Sequence, residues 1–274
     1  MSTKPIGVFD SGIGGLSILR MLHRLLPQED FLYFADQAQV PYGRRSMDEI
    51  RAFSVSITRF LLERGAKLIV LACNTASAAA LHHLRELFPD VPFVGMEPAL
   101  KPAIERTMTG RIGVLATSAT FQGELYASLL ERFAGGKVVL QQTPHGLVER
   151  IESGDLDSPE TRAVLKESIG PLLDSGIDAL VLACTHYPFV RGLISELIGP
   201  SVLLIDPSEG VARWTGRLLE QRGIDAVGDR QGSITFLSTG DVTHLTAMAQ
   251  RLIGESGQSV SLRWKGSELL LAGE

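Results

Sequence analysis

The sequence predicts an α/β protein built from two similar parallel-sheet domains, and two observations carry this prediction. Short, unbroken apolar segments alternate with longer segments of helical period, which is the pattern of a parallel sheet covered by helices on both faces. Three local features of the first half also recur roughly 110 residues later in the chain. Repetition at one nearly constant separation indicates duplicated α/β halves.

The first half is predicted to alternate strands and helices. Leucines recur on one face of the first helix, which Pro27 stops, and Ser46 with Glu49 makes a capping box for the second. The predicted elements are a strand at 6–9, a small-residue turn at 10–15, a helix from about 16 to 26, a strand at 31–34, a polar loop over 36–45, and a helix that Gly65 can end.

Two cysteine-containing segments give the clearest internal match. Residues 68–75 and 179–186 each form a short apolar run that ends in a cysteine followed by hydrogen-bonding residues. Cys73 and Cys184 are the only cysteines of the chain. Small residues at 76–80 would let the helix after the first cysteine pack closely on the sheet. We therefore expect two equivalent strands, one in each half, that present a thiol at the same point.

The remaining matches define the domain organisation. Residues 111–118 resemble 5–11, and the segment around Pro207 resembles the one around Pro98. Further predicted elements are a helix that starts at Ser158-Pro159, a helix over about 208–222, strands near 234–237 and 260–262, and a helix between those strands.

Because the second repeat is complete before the last elements, we expect those elements to return to the first half. The prediction is a discontinuous first domain, residues 1–97 plus 208–274, and a second domain, residues 98–207. Both are expected to be flavodoxin-like and related by a pseudo-two-fold axis. The active site is then expected in the cleft between them.

Composition excludes several classes of function. The chain has 274 residues, of which 45% are hydrophobic and 21% charged, with a net charge of −5, which argues against a nucleic-acid-binding surface. No signal-peptide pattern precedes the first strand, and no apolar stretch approaches the ~20 residues of a membrane helix. We expect a cytoplasmic protein with reduced thiols and without a structural metal site, because two cysteines cannot make a zinc-ribbon cluster.

Polar side chains follow four of the predicted strands. Ligands of parallel α/β sheets bind beyond the carboxyl ends of the strands, so these groups are candidates for one site. They are Asp10-Ser11, Cys73-Asn74-Thr75, Thr117-Ser118 and Cys184-Thr185-His186. If the halves face each other, the two thiols approach a shared cleft from opposite sides. Helix N-termini after the cysteines would supply N–H groups for a carboxylate and help to stabilise a thiolate.

Opposed thiols suit a two-base racemase or epimerase. One thiolate removes the Cα proton, and the opposite thiol delivers a proton to the other face. A cysteine pKa near 8.5 makes both forms accessible after modest tuning. Three other interpretations stay open: cysteines that are merely buried apolar residues, a redox dithiol, and a Cys184–His186 hydrolase that would leave Cys73 unexplained.

Other polar residues have less specific patterns. The turn at 10–15 fails the dinucleotide-binding pattern because Ser17 occupies the position of the third glycine, so it is either a tight turn alone or one that also carries a catalytic Asp10. His186 is either a capping or surface histidine or a proton shuttle for the nearby thiol. Glu152, judged by its local sequence alone, resembles an exposed acid at a helix end.

Four separated motifs resemble glutamate racemases of the aspartate/glutamate racemase superfamily. The resemblance extends over essentially the whole chain, from residue 6 to the late segment 238–241, and the motifs occur in the family's order. They are Asp10-Ser11-Gly12-Ile13-Gly14-Gly15-Leu16, Pro41-Tyr42-Gly43, Ala72-Cys73-Asn74-Thr75-Ala76-Ser77-Ala78 and Cys184-Thr185-His186-Tyr187-Pro188.

This resemblance implies interconversion of L- and D-glutamate without a cofactor, supplying D-glutamate for peptidoglycan. Cys73 would take the proton from the D-enantiomer and Cys184 from the L-enantiomer. Asp10 would assist Cys73, and Glu152 and His186 would assist Cys184. The implied substrate-binding residues are Asp10, Ser11, Pro41, Tyr42, Gly43, Asn74, Thr75, Thr117, Thr185 and His186.

The same resemblance bears on partners. Residues 96–103 resemble the corresponding segment of members activated by a muramyl-peptide precursor, although an ordinary domain-crossing segment with a proline helix start explains the sequence equally well. Glutamate is the expected small-molecule partner, and a homodimer is a candidate assembly. The alternatives kept for function are a related racemase or isomerase acting on another small carboxylate such as aspartate, and a non-catalytic dithiol redox sensor.

Overall fold

The computed structural model describes residues 3–226, 228 and 230–272. Its strands are β1 (Ile6–Asp10), β2 (Phe31–Ala35), β3 (Leu68–Leu71), β4 (Phe93–Gly95), β5 (Arg111–Ala116), β6 (Val138–Gln142), β7 (Ala179–Ala183), β8 (Leu203–Ile205), β9 (Ile234–Ser238), β10 (Gln258–Lys265) and β11 (Glu268–Leu271). Its α-helices are α1 (Leu16–Leu25), α2 (Met47–Glu63), α3 (Asn74–Leu87), α4 (Leu100–Arg106), α5 (Ser118–Gln122), α6 (Glu124–Phe133), α7 (Leu147–Glu152), α8 (Pro159–Asp174), α9 (Arg191–Ile198), α10 (Ser208–Arg222) and α11 (Val242–Ile253). Short 3₁₀ turns span Tyr42–Arg44 and Tyr187–Val190.

The strands form two sheets, which confirms the predicted two-domain α/β fold. The larger sheet has the order β11-β10-β9-β2-β1-β3-β4, and the smaller has the order β6-β5-β7-β8. The smaller sheet repeats the β2-β1-β3-β4 order of the larger one, and all strand pairs are parallel except β10–β11. The predicted domain limits at residues 97/98 and 207/208 stay a prediction, since the sheets fix which strands belong together and not where each domain ends.

A glycine occupies the same place in the first strand of each repeat. A Cβ on Gly7 would lie 2.8 Å from Ile69 Cδ1, and one on Gly113 would lie 2.9 Å from Ile177 Cδ1. In both sheets the glycine therefore lets an isoleucine side chain close over the strand. The repeated Ile-Gly-Val sequence has the same packing cause in both halves.

Two predicted helix features are confirmed. The Ser46 side chain accepts from the N–H of Glu49, while the Glu49 carboxylate accepts from the N–H of Ser46, so α2 starts with a full capping box. The small residues of α3 are buried against the sheet, including Ala76 and Ala80. This close packing brings the start of α3 to the edge where the strands end.

The carboxy-terminal elements return to the larger sheet, as predicted. β9 pairs with β2, β10 pairs with β9, and α10 packs against α1. β11 was missed: it forms an antiparallel hairpin with β10 after the turn at Gly266, which has a positive φ. Within the described residues, none of the helices has the length and apolar character needed to span a bilayer.

Candidate active site

The carboxyl ends of strands from both sheets surround one small cavity. Cys73 and Cys184 both line it, one from each sheet. The complete lining is Ser11, Pro41, Tyr42, Gly43, Cys73, Asn74, Thr75, Thr117, Val148, Cys184, Thr185 and His186. Every expected substrate-binding residue except Asp10 therefore contacts the cavity. Val148, from α7, is an additional lining residue that no sequence motif indicated.

Cys73 caps the amino terminus of α3. Its Sγ accepts a hydrogen bond from the N–H of Ala76 at 3.4 Å, and the residue is 5% exposed. Burial raises the pKa of the Cys73 thiol, and the nearby charge of Asp10 raises it further, while N–H groups of Ala76 and Ser11 partly oppose both effects. Cys73 is therefore held as a thiol at neutral pH.

Asp10 ends β1 and connects the two halves. Its Oδ1 accepts from the N–H of Gly12 at 2.9 Å, and its Oδ2 accepts from the Thr185 hydroxyl at 2.9 Å. Burial raises the pKa of Asp10, although the charge of His186 and these two hydrogen bonds lower it. The end of β1 thus places a buried carboxyl group in contact with Thr185, the residue that follows Cys184.

Cys184, His186 and Glu152 form a chain of contacts on the opposite side. The Sγ of Cys184 lies 3.7 Å from His186 Nδ1, and His186 Nε2 lies 2.6 Å from Glu152 Oε1. Burial lowers the pKa of His186, but its contacts with Cys184 and Glu152 outweigh burial and hold that pKa well above its usual value. An imidazolium donates from both nitrogens, so this arrangement suits a thiolate at Cys184.

Two expectations about this side are wrong. An α-helix does not follow Cys184 directly, because the 3₁₀ turn Tyr187–Val190 intervenes before α9, so the helix N-terminus predicted for both cysteines exists only at Cys73. Glu152 is not an exposed acid: its side chain is 11% exposed, and its Oε1 also accepts from the N–H of Ile13 at 2.8 Å. Its partners lie far away in sequence, which is why local sequence misjudged it.

The glycines of the 10–15 turn bring that turn against the second domain. A Cβ on Gly12 would overlap the Glu152 carboxylate, and one on Gly14 would overlap the His186 ring. On the other side of the turn, a Cβ on Gly15 would lie 2.7 Å from the Cβ of Asp10. The expected tight turn is confirmed, and its glycines are needed for close approach to Glu152, His186 and Asp10.

Hydroxyl and amide groups complete the lining. Thr75 Oγ1 and Thr117 Oγ1, from different sheets, lie 2.8 Å apart. Asn74 is buried, and neither its Oδ1 nor its Nδ2 has a hydrogen-bond partner within the described part of the chain. An unpartnered buried amide beside two thiols is a ready acceptor and donor for a polar ligand.

Comparisons with known proteins show the family of the chain. A family model described as Asp/Glu/hydantoin racemase matches residues 6–213. The chain belongs to the Asp/Glu/hydantoin racemase family. The resemblance to glutamate racemases drawn from the four motifs is confirmed by relatives of the chain that are named glutamate racemase. The glutamate racemase of Roseiflexus sp. (strain RS-1) is 49% identical over 252 residues, covering 92% of this chain and 93% of that protein. That of Herpetosiphon aurantiacus is 51% identical over 252 residues, covering 92% and 99%.

Solved structures of the same family share the whole fold. Bacillus anthracis glutamate racemase isoform RacE1 superposes with a TM-score of 0.88 at 31% identity, covering 98% of this chain and 100% of that one. Escherichia coli glutamate racemase, in complex with L-glutamate and the activator UDP-MurNAc-Ala, gives 0.82 at 30% identity, covering 98% and 100%. Francisella tularensis glutamate racemase, in complex with D-glutamate, gives 0.82 at 31% identity, covering 94% and 97%.

Proposed function

We propose that this chain interconverts L- and D-glutamate without a cofactor, using Cys73 and Cys184 as the two proton-transfer groups. The observation that carries the proposal is that two free thiols from two different sheets line one cavity. Each thiol has its own ionisable neighbours: Asp10 accompanies Cys73, and His186 with Glu152 accompanies Cys184. The high identity to glutamate racemases supports glutamate as the substrate.

The two thiols differ in the way that a two-base reaction requires. Cys73 is held as a thiol because burial raises its pKa. Cys184 lies beside a histidine whose pKa is raised, so an imidazolium is available to stabilise a thiolate there. One thiolate and one thiol on opposite sides form the reactant state for L-glutamate.

In the proposed reaction each proton taken from Cα is matched by one that is delivered to it. The Cys184 thiolate takes the Cα proton of L-glutamate and becomes a thiol, while the Cys73 thiol delivers its proton to the opposite face and becomes a thiolate. D-glutamate results, and the enzyme is left with the reversed protonation, which suits the reverse reaction. In this proposal Asp10 on the Cys73 side, and His186 with Glu152 on the Cys184 side, return protons to and from the thiols.

The carbanion formed at Cα needs stabilisation through the substrate carboxylate. The start of the fourteen-residue helix α3 directs N–H groups and a helix dipole toward that edge of the cavity. The unpartnered amide of Asn74 and the hydroxyls of Thr75 and Thr117 add neutral donors there. Donors fixed in place before the reaction stabilise the developing charge at no reorganisation cost.

We further propose that the product serves peptidoglycan synthesis in the cytoplasm, where both thiols stay reduced. We also propose an activator of the muramyl-peptide class, because residues 96–103 resemble activated members and the Escherichia coli neighbour was solved with UDP-MurNAc-Ala. In this chain the segment leads from β4 into α4, with Met96 buried and its N–H bonded to the Ser77 hydroxyl at 2.8 Å. That bond connects the segment to the helix that carries Asn74.

The test is incubation of the purified protein with L-glutamate in D₂O without added cofactor. We expect loss of optical rotation, with deuterium entering at Cα in proton NMR, and a poor reaction with L-aspartate. Preference for L-aspartate would assign another substrate within the same chemistry, and a strict need for pyridoxal phosphate would refute the mechanism.

Single cysteine variants test the two-base assignment. Cys73→Ser and Cys184→Ser should each lower kcat by about 10²-fold or more, since a serine hydroxyl is a far weaker acid than a thiol. Each variant should retain exchange with solvent from one enantiomer at most. Full activity in either variant would rule out the two-cysteine mechanism. Counting free thiols in air and in reductant, with activity measured in parallel, tests the redox-sensor alternative.

A further inference from the structure

The hydroxyl of Tyr42 is held from behind the active-site cavity by a buried carboxylate. Tyr42 lines the cavity, and its Oη donates to Asp36 Oδ2 at 2.6 Å. Both residues are almost completely buried. Asp36 follows β2 and does not itself line the cavity in the described part of the chain. Asp36 can therefore influence a bound substrate only through its neighbours.

Two donors from the carboxy-terminal elements bind the other oxygen of the same carboxylate. Trp264 Nε1 donates to Asp36 Oδ1 at 2.7 Å, and the Thr239 hydroxyl donates to it at 2.8 Å. An indole N–H only donates. The Thr239 oxygen already accepts from the N–H of Ala38 at 3.1 Å, which leaves its proton for Asp36. Three donors converge on one carboxylate, so the Tyr42 proton points to Asp36.

The electrostatics agree with this orientation. Burial raises the pKa of Asp36, but the hydrogen bonds from Tyr42, Trp264 and Thr239 oppose burial. Burial also raises the pKa of Tyr42 well above its usual value, and the Asp36 charge raises it further. Tyr42 therefore keeps its proton and is not a base at neutral pH. Its hydroxyl is already engaged, which leaves the ring and backbone to contact a ligand.

Asp36 is also fixed to the strand that carries Asp10. The N–H of Asp36 donates to the carbonyl oxygen of Asp10 at 3.0 Å, and the carbonyl of Asp36 accepts from the N–H of Gln39 at 3.0 Å. One residue thus connects β1, the loop before Pro41 and the two last parallel strands of the sheet. A shift of Asp36 would move the loop and Tyr42 together.

We propose that Asp36 is a positioning residue for the racemase site, holding the Pro41–Gly43 segment against the substrate through Tyr42, with Thr239 and Trp264 holding Asp36. This inference rests on the proposed function, because the substrate is the ligand that the segment contacts. It assigns to the carboxy-terminal elements, which contribute no residue to the cavity lining within the described chain, an indirect effect on catalysis through Asp36 and Tyr42.

The experiment compares variants of the network in kinetics and in unfolding. Asp36→Asn and Tyr42→Phe should each lower kcat/KM for L-glutamate about tenfold, mainly by raising KM, and the double variant should be no worse than the worse single variant. Trp264→Phe and Thr239→Val should lower it several-fold. Thr239→Ser, which keeps the hydroxyl group, should have a kcat/KM close to that of wild type. Trp214→Phe, on the outer face of α10, should stay within about twofold of wild type.

The outcomes separate a positioning role from a structural one. If Asp36→Asn and Trp264→Phe lower the unfolding midpoint but leave kcat/KM unchanged, the proposal is wrong. Additive losses in the double variant would also contradict it, because they place Asp36 and Tyr42 in independent roles. Should Asp36→Asn fail to fold, Trp264→Phe and the comparison of Thr239→Val with Thr239→Ser decide alone. A wild-type protein that does not racemise glutamate refutes the proposed function, and equal activity of wild type and variants refutes the positioning role.

Discussion

At the scale of single residues, the site keeps a carboxyl group where burial opposes its charge. The folded-state pKa of Asp10 is raised above the ordinary 3.8, first because of burial. A carboxyl group whose pKa is higher in the folded than in the unfolded protein stabilises the fold when it is protonated. This stability is fully present below the pKa of the unfolded protein and is lost as the pH rises through the pKa of the folded protein. At pH 7.5 an ionised Asp10 therefore lowers the free energy of unfolding relative to a neutral side chain of the same shape.

Asp10→Asn should separate stability from activity. We expect the unfolding midpoint at pH 7.5 to rise by a few degrees, and the difference from wild type to shrink as pH approaches 4. Racemisation should fall by about 10²-fold, because proton return on the Cys73 side is lost. Differential scanning calorimetry at several pH values, with kinetics at pH 7.5, measures both.

Asp155 gives a control of opposite sign. The Ser158 hydroxyl and N–H groups lower its pKa to about 2, so this carboxylate contributes stability above the unfolded pKa, and that stability is lost as pH falls through about 2. Asp155→Asn should lower the midpoint at pH 7.5 and leave racemisation unchanged. A lower unfolding midpoint for Asp10→Asn at pH 7.5 would show that the ionised Asp10 does not destabilise the folded protein.

Which site residues a sequence can predict depends on where their partners lie. Cys73 and Cys184 could be predicted because each ends a repeated local pattern, and the repeat pairs them. Glu152 was judged exposed because its partners, Ile13 and His186, come from other parts of the chain. Asp36 likewise acquires its role from Tyr42 and the carboxy-terminal elements, and no local motif signals such contacts.

At the scale of elements, the β1–α1 turn acts as a contact between domains. The Ser17 hydroxyl at the start of α1 donates to the carbonyl of Thr185 at 2.9 Å, so the helix start is joined to the Cys184 segment. Gly14 lies against the same segment, where a Cβ would be 2.6 Å from the Thr185 hydroxyl oxygen. The turn needs glycine at position 14 for space, since its φ is not in the left-handed region.

Gly14→Ala should therefore damage the chemistry more than the fold. The methyl group would displace His186 and Thr185, and we expect kcat to fall by about 10²-fold while the protein still unfolds cooperatively. Gly170→Ala, inside α8 where a Cβ meets no atom within 4 Å, is the matched control and should be as active as wild type and slightly more stable. Kinetics with calorimetry compares them, and near-normal turnover in Gly14→Ala would show that the close approach is dispensable.

Many elements were predicted from hydrophobic period and capping, and two of the differences have clear physical causes. β11 was not predicted because a short hairpin strand at a sheet edge has little periodic signal of its own. The turn after Cys184 was expected to be a helix start by analogy with Cys73, but Pro188 follows there and the chain forms a 3₁₀ turn first. At this position the local sequence with Pro188, and not the similarity between the two repeats, determines the backbone conformation.

At the scale of the whole molecule, the two domains are closed over the thiols. The cavity between them has a volume of about 20 Å³, enough for roughly one water molecule and too small for glutamate. A bound glutamate therefore needs a wider cavity, which movement of side chains or of the domains would provide. The carboxy-terminal elements also contact the second domain, since His244 Nε2 lies 2.7 Å from the carbonyl oxygen of Glu152.

An ion pair crosses the outer end of this closed cleft. Arg44, in the 3₁₀ turn after Tyr42, pairs with Glu149 of α7, and both side chains line an outer cavity of about 170 Å³. That cavity shares Pro41, Gly43, Thr117 and Val148 with the inner one. Both charged groups are partly exposed, so the pair contributes at most about 1 kcal/mol to closure and weakens with salt.

Glu149→Gln should accordingly loosen closure without changing the proton-transfer groups. We expect KM for L-glutamate to rise by up to about fivefold at low salt, the limit that ~1 kcal/mol allows, with little difference from wild type at 1 M salt. The charge-swapped pair Arg44→Glu with Glu149→Arg should restore the low-salt KM, whereas Glu209→Gln, which breaks an ion pair within α10, should not alter it. Steady-state kinetics across a salt series measures this dependence. A KM for Glu149→Gln that differs from wild type equally at every salt concentration would mean that Glu149 acts on substrate binding by some means other than its charge pairing with Arg44.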